Sequence, residues 1–199
     1  MEHEALIDAV VSRLFVELEA SGRHVHVTKE QALTLFGHGL TPLRPLSQPG
    51  QYLAAERVTV VGPKGEFRDV AVLGPERPES QVEVSLTDAR TLGIGAPVRL
   101  SGDIQGSPGA VLVGSHGKIT LDSGLIAAKR HIHLTPEAAA AFGVKDRQVV
   151  RLKTLTSRPV TFEDVTVRVS ERFAPYAHLD YDEANACGFH KGDLGRILP

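Results

Sequence analysis

Apolar and polar residues alternate along much of this chain with the two-residue period of a β-strand. Val25 and Val27 alternate with His24 and His26, and Ile132 and Leu134 alternate with His131 and His133, so that aliphatic side chains face one side of a sheet and imidazoles the other. β-Branched runs at Val58 to Val61, Val70 to Leu73, Val98 to Leu100, Val149 to Leu152 and Val165 to Val169 are bounded by Gly and Pro. Many short strands with a few two-turn helices predict a mainly β (α+β) chain of two β-barrel domains related by internal duplication. The N-terminus has a different period. Leu6, Ile7, Val10, Val11, Leu14, Phe15 and Leu18 recur at helical spacing, which predicts an amphipathic helix over Glu2 to Leu18, although Phe15 to Glu19 also reads as the start of a strand. The expected domains are a helix at 1–18, a first barrel at 19–108 and a second at 109–199. Segment 101–118, with five glycines, is expected to be a connector or mobile loop.

The duplication is visible in the residues. Arg23-His-Val-His-Val-Thr28 returns as Arg130-His-Ile-His-Leu-Thr135, an offset of 130 − 23 = 107 positions. Two looser copies follow the same plan, Glu83-Val-Ser-Leu-Thr87 and Tyr176-Ala-His-Leu-Asp180. After each copy comes a short stretch with helix-start chemistry and a terminal glycine, at Gly37, Gly93, Gly143 and Gly188. Thr28 with Gln31 and Asp180 with Glu183 have capping-box spacing, and Pro136 suits the first helical position after Thr135.

Composition narrows the function classes. The chain has 199 residues, 42% of them hydrophobic, with 22 Lys and Arg against 24 Asp and Glu. A nearly balanced charge removes the field that drives general nucleic-acid binding, so any polyanion must be held locally. No apolar run reaches the roughly 20 residues of a membrane span. With a single cysteine, Cys187, no internal disulfide forms, and the N-terminus lacks a signal-peptide pattern, so a cytoplasmic setting is expected.

Nine histidines and no tryptophan direct attention to metal chemistry. Two imidazoles at i and i+2 on a strand point the same way and can share a metal at about 2.0 to 2.1 Å. The plainer alternative is a pair of solvated strand histidines, but two such pairs, related by duplication and each preceded by Arg, favour ligands. Aligning the four copies places Glu83 with His24 and His131, and His178 with His26 and His133. Six N and O ligands suit two metals with three each, the pattern of catalytic zinc, although cobalt, manganese and iron also accept such ligands. Arg77, in the Pro-rich turn ahead of Glu83, suits a phosphate or a carboxylate. Arg23 and Arg130 alternate with the histidines and are expected to buttress the sheet. His3, His38, His116 and His190 read as surface residues, and Cys187 as core packing.

With RHVHVT, GPERPESQVEVS, LSGD, RHIHLT and HLDYDEANACGF, the chain resembles the phosphate propanoyltransferase family of the propanediol-utilisation type over residues 20–199. The resemblance implies exchange between acyl-CoA plus inorganic phosphate and acyl phosphate plus CoA, at a dinuclear zinc site on two β-barrel domains. It assigns His24, His26 and Glu83 to one zinc and His131, His133 and His178 to the other. Arg77 becomes the phosphate-binding and catalytic arginine, while Ser21 and Asn185 fall where the family contacts CoA. Gly22 stands where the family commonly has Ala or Asn, a departure that touches no ligand. The resemblance further implies residence in a bacterial microcompartment, with the N-terminal helix directing the enzyme to shell or cargo partners; a helix packed on its own core is the alternative, and a homo-oligomer is compatible with the sequence. Two other readings use the same residues. One is a dinuclear metallohydrolase acting on a thioester or phosphoester, and the other a metal-stabilised shell-adaptor module without turnover.

Overall fold

A computed structural model of the chain describes residues 14–198. Among these residues fifteen strands and four two-turn helices form two compact units. One unit runs from Gly22 to Ala128, and the other joins the described residues up to Ser21 to the chain from Lys129 onward.

In the Gly22–Ala128 unit, the strand β2 (His24–His26) lies between β6 (Gln81–Val84), antiparallel, and β5 (Glu66–Gly74), parallel. The nine-stranded curled sheet has the order β7 (Val98–Arg99), β10 (Leu125–Ala128), β6, β2, β5, β4 (Tyr52–Val61), β8 (Val111–Val113), β9 (Lys118–Thr120), with β3 (Pro42–Pro45) also on β4. The other unit is a closed six-stranded barrel, β1 (Val16–Ser21), β14 (Tyr176–Asp180), β11 (His131–Leu134), β13 (Thr161–Val169), β12 (Val149–Leu155), β15 (Leu194–Leu198). There β11 lies between β14, antiparallel, and β13, parallel, which repeats the surroundings of β2. Of the two expected barrels, one is thus closed and the other is a curled open sheet.

Each unit has its own core. In β12, Val150, Leu152 and Thr154 are buried while the residues between them are exposed, the alternation of a strand with one face on a core. Leu152, Ile132, Val165, Val167 and Leu179 fill the barrel, and Val25, Val72, Val82, Leu112 and Leu125 fill the other unit. Burying a side chain of this size is worth about 1.5–3 kcal/mol, and these residues lie on the faces the alternation assigns to the interior.

Three sequence expectations change. The helix expected over Glu2 to Leu18 lies mostly outside the described residues, and its last positions belong to β1, the strand that Phe15 to Glu19 also suggested. β1 closes the barrel by pairing with β14 on one side and β15 on the other, which leaves no open edge. The expected loop at 101–118 contains β8, because Leu112 is fully buried and the strand pairs with β4. The boundary expected between residues 108 and 109 falls instead after Ala128, since β8 and β10 carry the sheet of the first unit through their pairing with β4 and β6.

The chain trades strands between the units at corresponding points. β1, in the barrel, leads directly into β2 of the other unit, and β10, in that unit, leads into β11 of the barrel. The strand that precedes each Arg-His motif therefore serves the unit that does not contain the motif.

Candidate functional site

All four repeat copies fold as a strand that stops at a helix cap. The helices are α1 (Lys29–Phe36), α2 (Leu86–Leu92), α3 (Pro136–Phe142) and α4 (Tyr181–Cys187). Thr28, Ser85, Thr135 and Asp180 are their N-caps, each accepting from the backbone N–H three residues on, and all but Thr135 complete a capping box. Gly37, Gly93, Gly143 and Gly188 end the helices in the left-handed conformation. The caps revise the alignment of the second copy by two residues. Its N-cap is Ser85, so Gln81-Val-Glu-Val-Ser85 matches His24-Val-His-Val-Thr28, and Glu83 occupies the place of His178 within its own unit. The register agrees, because Glu83 pairs with His24 as His178 pairs with His131, and Gln81 pairs with His26 as Tyr176 pairs with His133.

His24, His26 and Glu83 form the first cluster, all buried, with one potential ligand atom from each lying within 4.8 Å of the others. His24 Nε2 is 3.6 Å and His26 Nε2 3.9 Å from Glu83 Oε1. Behind the rings, His24 Nδ1 is 2.8 Å from the Gly22 carbonyl and His26 Nδ1 is 3.2 Å from the Leu73 carbonyl. A carbonyl that accepts from Nδ1–H leaves the Nε2 lone pair turned inward, the tautomer a metal requires. Glu83 is held by the Ser101 hydroxyl, which donates to Oε1 at 2.9 Å, and by the Gln81 amide. Ser101 Oγ in turn accepts from Arg77 at 3.3 Å and from Gln81 at 2.9 Å, so the guanidinium and the carboxylate share one hydroxyl. The Arg77 backbone N–H donates to the Val27 carbonyl at 2.9 Å, which fixes the turn beside the end of β2.

The electrostatics of this cluster favour an ionised Glu83 and a neutral His26, and pull His24 the other way, toward its protonated form. Burial pushes the Glu83 carboxyl up, but His24, His26 and Ser101 outweigh it and hold the group well below the usual carboxylate range. Burial, then the charges of His24 and Arg77, keeps His26 far below the usual imidazole value and so neutral. Burial also pushes His24 down, but Glu83 and the Gly22 carbonyl reverse the balance and raise it.

His131, His133 and His178 form the second cluster, again with ligand atoms within 4.8 Å. His133 Nδ1 lies 3.2 Å from His178 Nε2, and His131 Nδ1 is backed by the Lys129 carbonyl at 2.9 Å, as His24 is by Gly22. His133 stacks on Phe173 with ring centroids 4.0 Å apart. His178 Nδ1 lies 3.2 Å from a carboxylate oxygen of Glu19 on β1. Two convergent sets of three N or O donors, with backing acceptors behind four of the five imidazoles, could each hold a metal ion.

The remaining expected residues are placed as follows. Arg23 grips Asp88 through two hydrogen bonds of 3.0 and 2.7 Å and lies over Phe67, while Arg130 bonds Glu183 at 2.8 Å and the Glu163 carbonyl at 2.7 Å. Asp88 and Glu183 are the third helical residues of their capping boxes, so both arginines buttress strand against helix cap, as the alternation predicted. Ser21 ends β1 opposite Asp180, and Asn185 is exposed on α4. His38, His116 and His190 are exposed, and His3 lies outside the described residues. Cys187 is fully buried in the barrel core, where burial pushes its thiol up, which suits packing and not nucleophilic attack. Sequence reasoning missed Glu19, Gln81 and Ser101; the first was signalled only by the alternation Val16-Glu-Leu-Glu-Ala20 beside a histidine strand.

Residues 17–190 match the family model for phosphate propanoyltransferase. The chain is 52% identical over 197 residues to a phosphate propanoyltransferase of Clostridioides difficile, covering 98% of this chain and 94% of the relative. It is 54% identical over 201 residues to the phosphate propanoyltransferase of Enterococcus faecalis, covering 97% and 95%. For that of Thermotoga maritima the identity is 51% over 181 residues, covering 89% and 86%.

Proposed function

The chain belongs to the phosphate propanoyltransferase family and is an acyltransferase, and from this we propose that it exchanges CoA and inorganic phosphate on a short-chain acyl group, propanoyl or acetyl, with one zinc ion in each histidine cluster. The observation that carries this reading is the Arg77–Ser101–Glu83 connection, which holds a guanidinium beside a buried donor set that could hold a metal. Bound there, zinc supplies Lewis acidity toward an oxygen of phosphate or thioester.

The chain's own residues account for the rest of the reaction. Arg77 binds and orients phosphate through charge-assisted hydrogen bonds, and Ser101 with the Val27 carbonyl keeps its turn in place. A phosphate oxygen attacks the thioester carbonyl carbon, the C–O bond forms, the C–S bond breaks and CoA leaves as thiolate. The attack is direct. Cys187 is sealed in the core, and Ser101 donates its proton to a carboxylate that serves as a ligand, so neither is set up to carry the acyl group. Ser21 and Asn185 contact CoA in this reading, and residues ahead of β1 direct the enzyme to the shell of a bacterial microcompartment in the cytoplasm.

The test is thiol release from propanoyl-CoA by zinc-loaded protein, with and without inorganic phosphate. Release that depends on phosphate and yields acyl phosphate is expected. Release at the same rate without phosphate makes water the nucleophile and the protein a hydrolase. The targeting reading is tested by deleting residues 1–13, which spares β1: specific activity should persist while co-localisation with the shell is lost, and retained co-localisation contradicts it.

A further inference from the structure

The third member of each cluster meets a different neighbour. β14 pairs in parallel with β1, placing His178 opposite Glu19, and β6 pairs in parallel with β10, placing Glu83 opposite Ile126. These neighbours are equivalent in the repeat, since 126 − 19 = 107, the offset that separates Arg23 from Arg130. Where the third residue is a carboxylate, the adjoining strand offers a fully buried isoleucine; where it is an imidazole, the strand offers a carboxylate. Each centre therefore has one acidic side chain from this pair of positions, directly among the candidate ligands in one and behind an imidazole in the other.

We infer that Glu19 is a positioning residue of the second centre, orienting the His178 ring and making it a stronger metal ligand. The inference rests on the zinc reading of the cluster. The Glu19 carboxylate, 3.2 Å from Nδ1, accepts its proton, which leaves the Nε2 lone pair facing His133. The negative charge behind the ring raises its basicity and offsets part of the charge of a cation held by three neutral imidazoles. β1 thus completes the second centre as well as closing the barrel, and an isoleucine at the equivalent position of the first centre fits a ligand that already carries the charge.

The test uses the full chain carrying His24→Ala, which leaves only the second cluster intact, and reads zinc affinity by competition with a chromophoric chelator. Glu19→Ile, which copies the other centre, should weaken zinc binding about 10- to 100-fold, the usual cost of losing such a partner. Glu19→Gln, which keeps an acceptor oxygen but not the charge, should restore part of that loss. Loaded with cobalt, the Glu19→Ile form should show a shifted visible spectrum. In a chain carrying His178→Ala, where only the first cluster remains, Glu19→Ile should leave zinc affinity unchanged. Unchanged affinity for both Glu19 variants in the His24→Ala chain, or equal weakening in both backgrounds, overturns the inference while the zinc reading stands. A His24→Ala chain that takes up no zinc overturns that reading, and the inference with it.

Discussion

In the Gly22–Ala128 unit a HxH strand meets Glu83, a carboxylate held by Ser101 and Gln81 and joined through Ser101 to Arg77. In the barrel a near copy of that strand meets His178, an imidazole backed by Glu19. Backbone, cap and buttress are shared: both strands run between an antiparallel and a parallel neighbour, both lead to a capped helix, and both are preceded by an arginine tied to the capping-box acid of the antiparallel partner's helix. The duplication thus preserves the frame that aims the histidines while the chemistry around them diverges. The first cluster is joined to an arginine through Ser101, and the second sets three imidazoles together with a carboxylate one step behind.

Removing a ligand should break both halves of this comparison. His24→Ala and His131→Ala are each expected to lower phosphate-dependent CoA release roughly 10²- to 10³-fold, the scale of losing one electrostatic stabiliser of the transition state, in steady-state assays on folded protein. Arg77→Ala should separate the centres. Losing a charge-assisted contact to phosphate should raise its KM about 10- to 100-fold, with zinc content unchanged by elemental analysis, whereas Arg130→Ala should leave the phosphate KM as it was.

The buttresses sharpen the comparison through stability. Arg23→Ala strands the buried carboxylate of Asp88, only 8% exposed, and should cost about 1–3 kcal/mol in urea denaturation. Arg130→Ala should cost less, because the Glu183 side chain is 16% exposed and gains more from water. The smallest effect is expected at the helix ends. At Gly143, φ is +67° and a Cβ would meet nothing within 4 Å, so Gly143→Ala should cost only the left-handed strain of about 1 kcal/mol.

Much of this arrangement was legible in the chain itself. The alternation of Val25 and Val27 with His24 and His26 determines which side chains share a face, and cap chemistry at Thr28, Thr135 and Asp180 marks where strands become helices. The five histidines of the clusters follow from those two signals, whereas a cap at Thr87 aligns Glu83 with His24, the place that the fold gives to Gln81. The second copy is ambiguous by two positions in the sequence, because Ser85 and Thr87 both suit a cap, and the cap formed at Ser85 together with the pairing of β6 with β2 decides between them. Long-range partners were not legible. Nothing in Val16 to Ser21 announces that it pairs with residues 176–180, so the place of Glu19 behind His178 awaited the sheet order. The exchange of β1 and β10 between units likewise moved the boundary, since composition at residues 101–118 marks glycine-rich turns but not which sheet the next strand joins.

The most direct test of the central claim, two separately built metal centres in one chain, is zinc counted per chain after exhaustive dialysis. Two are expected for the unaltered protein, one for His24→Ala, one for His178→Ala, and none for the chain carrying both changes. A single zinc in the unaltered protein, or loss of both from either single variant, would contradict it.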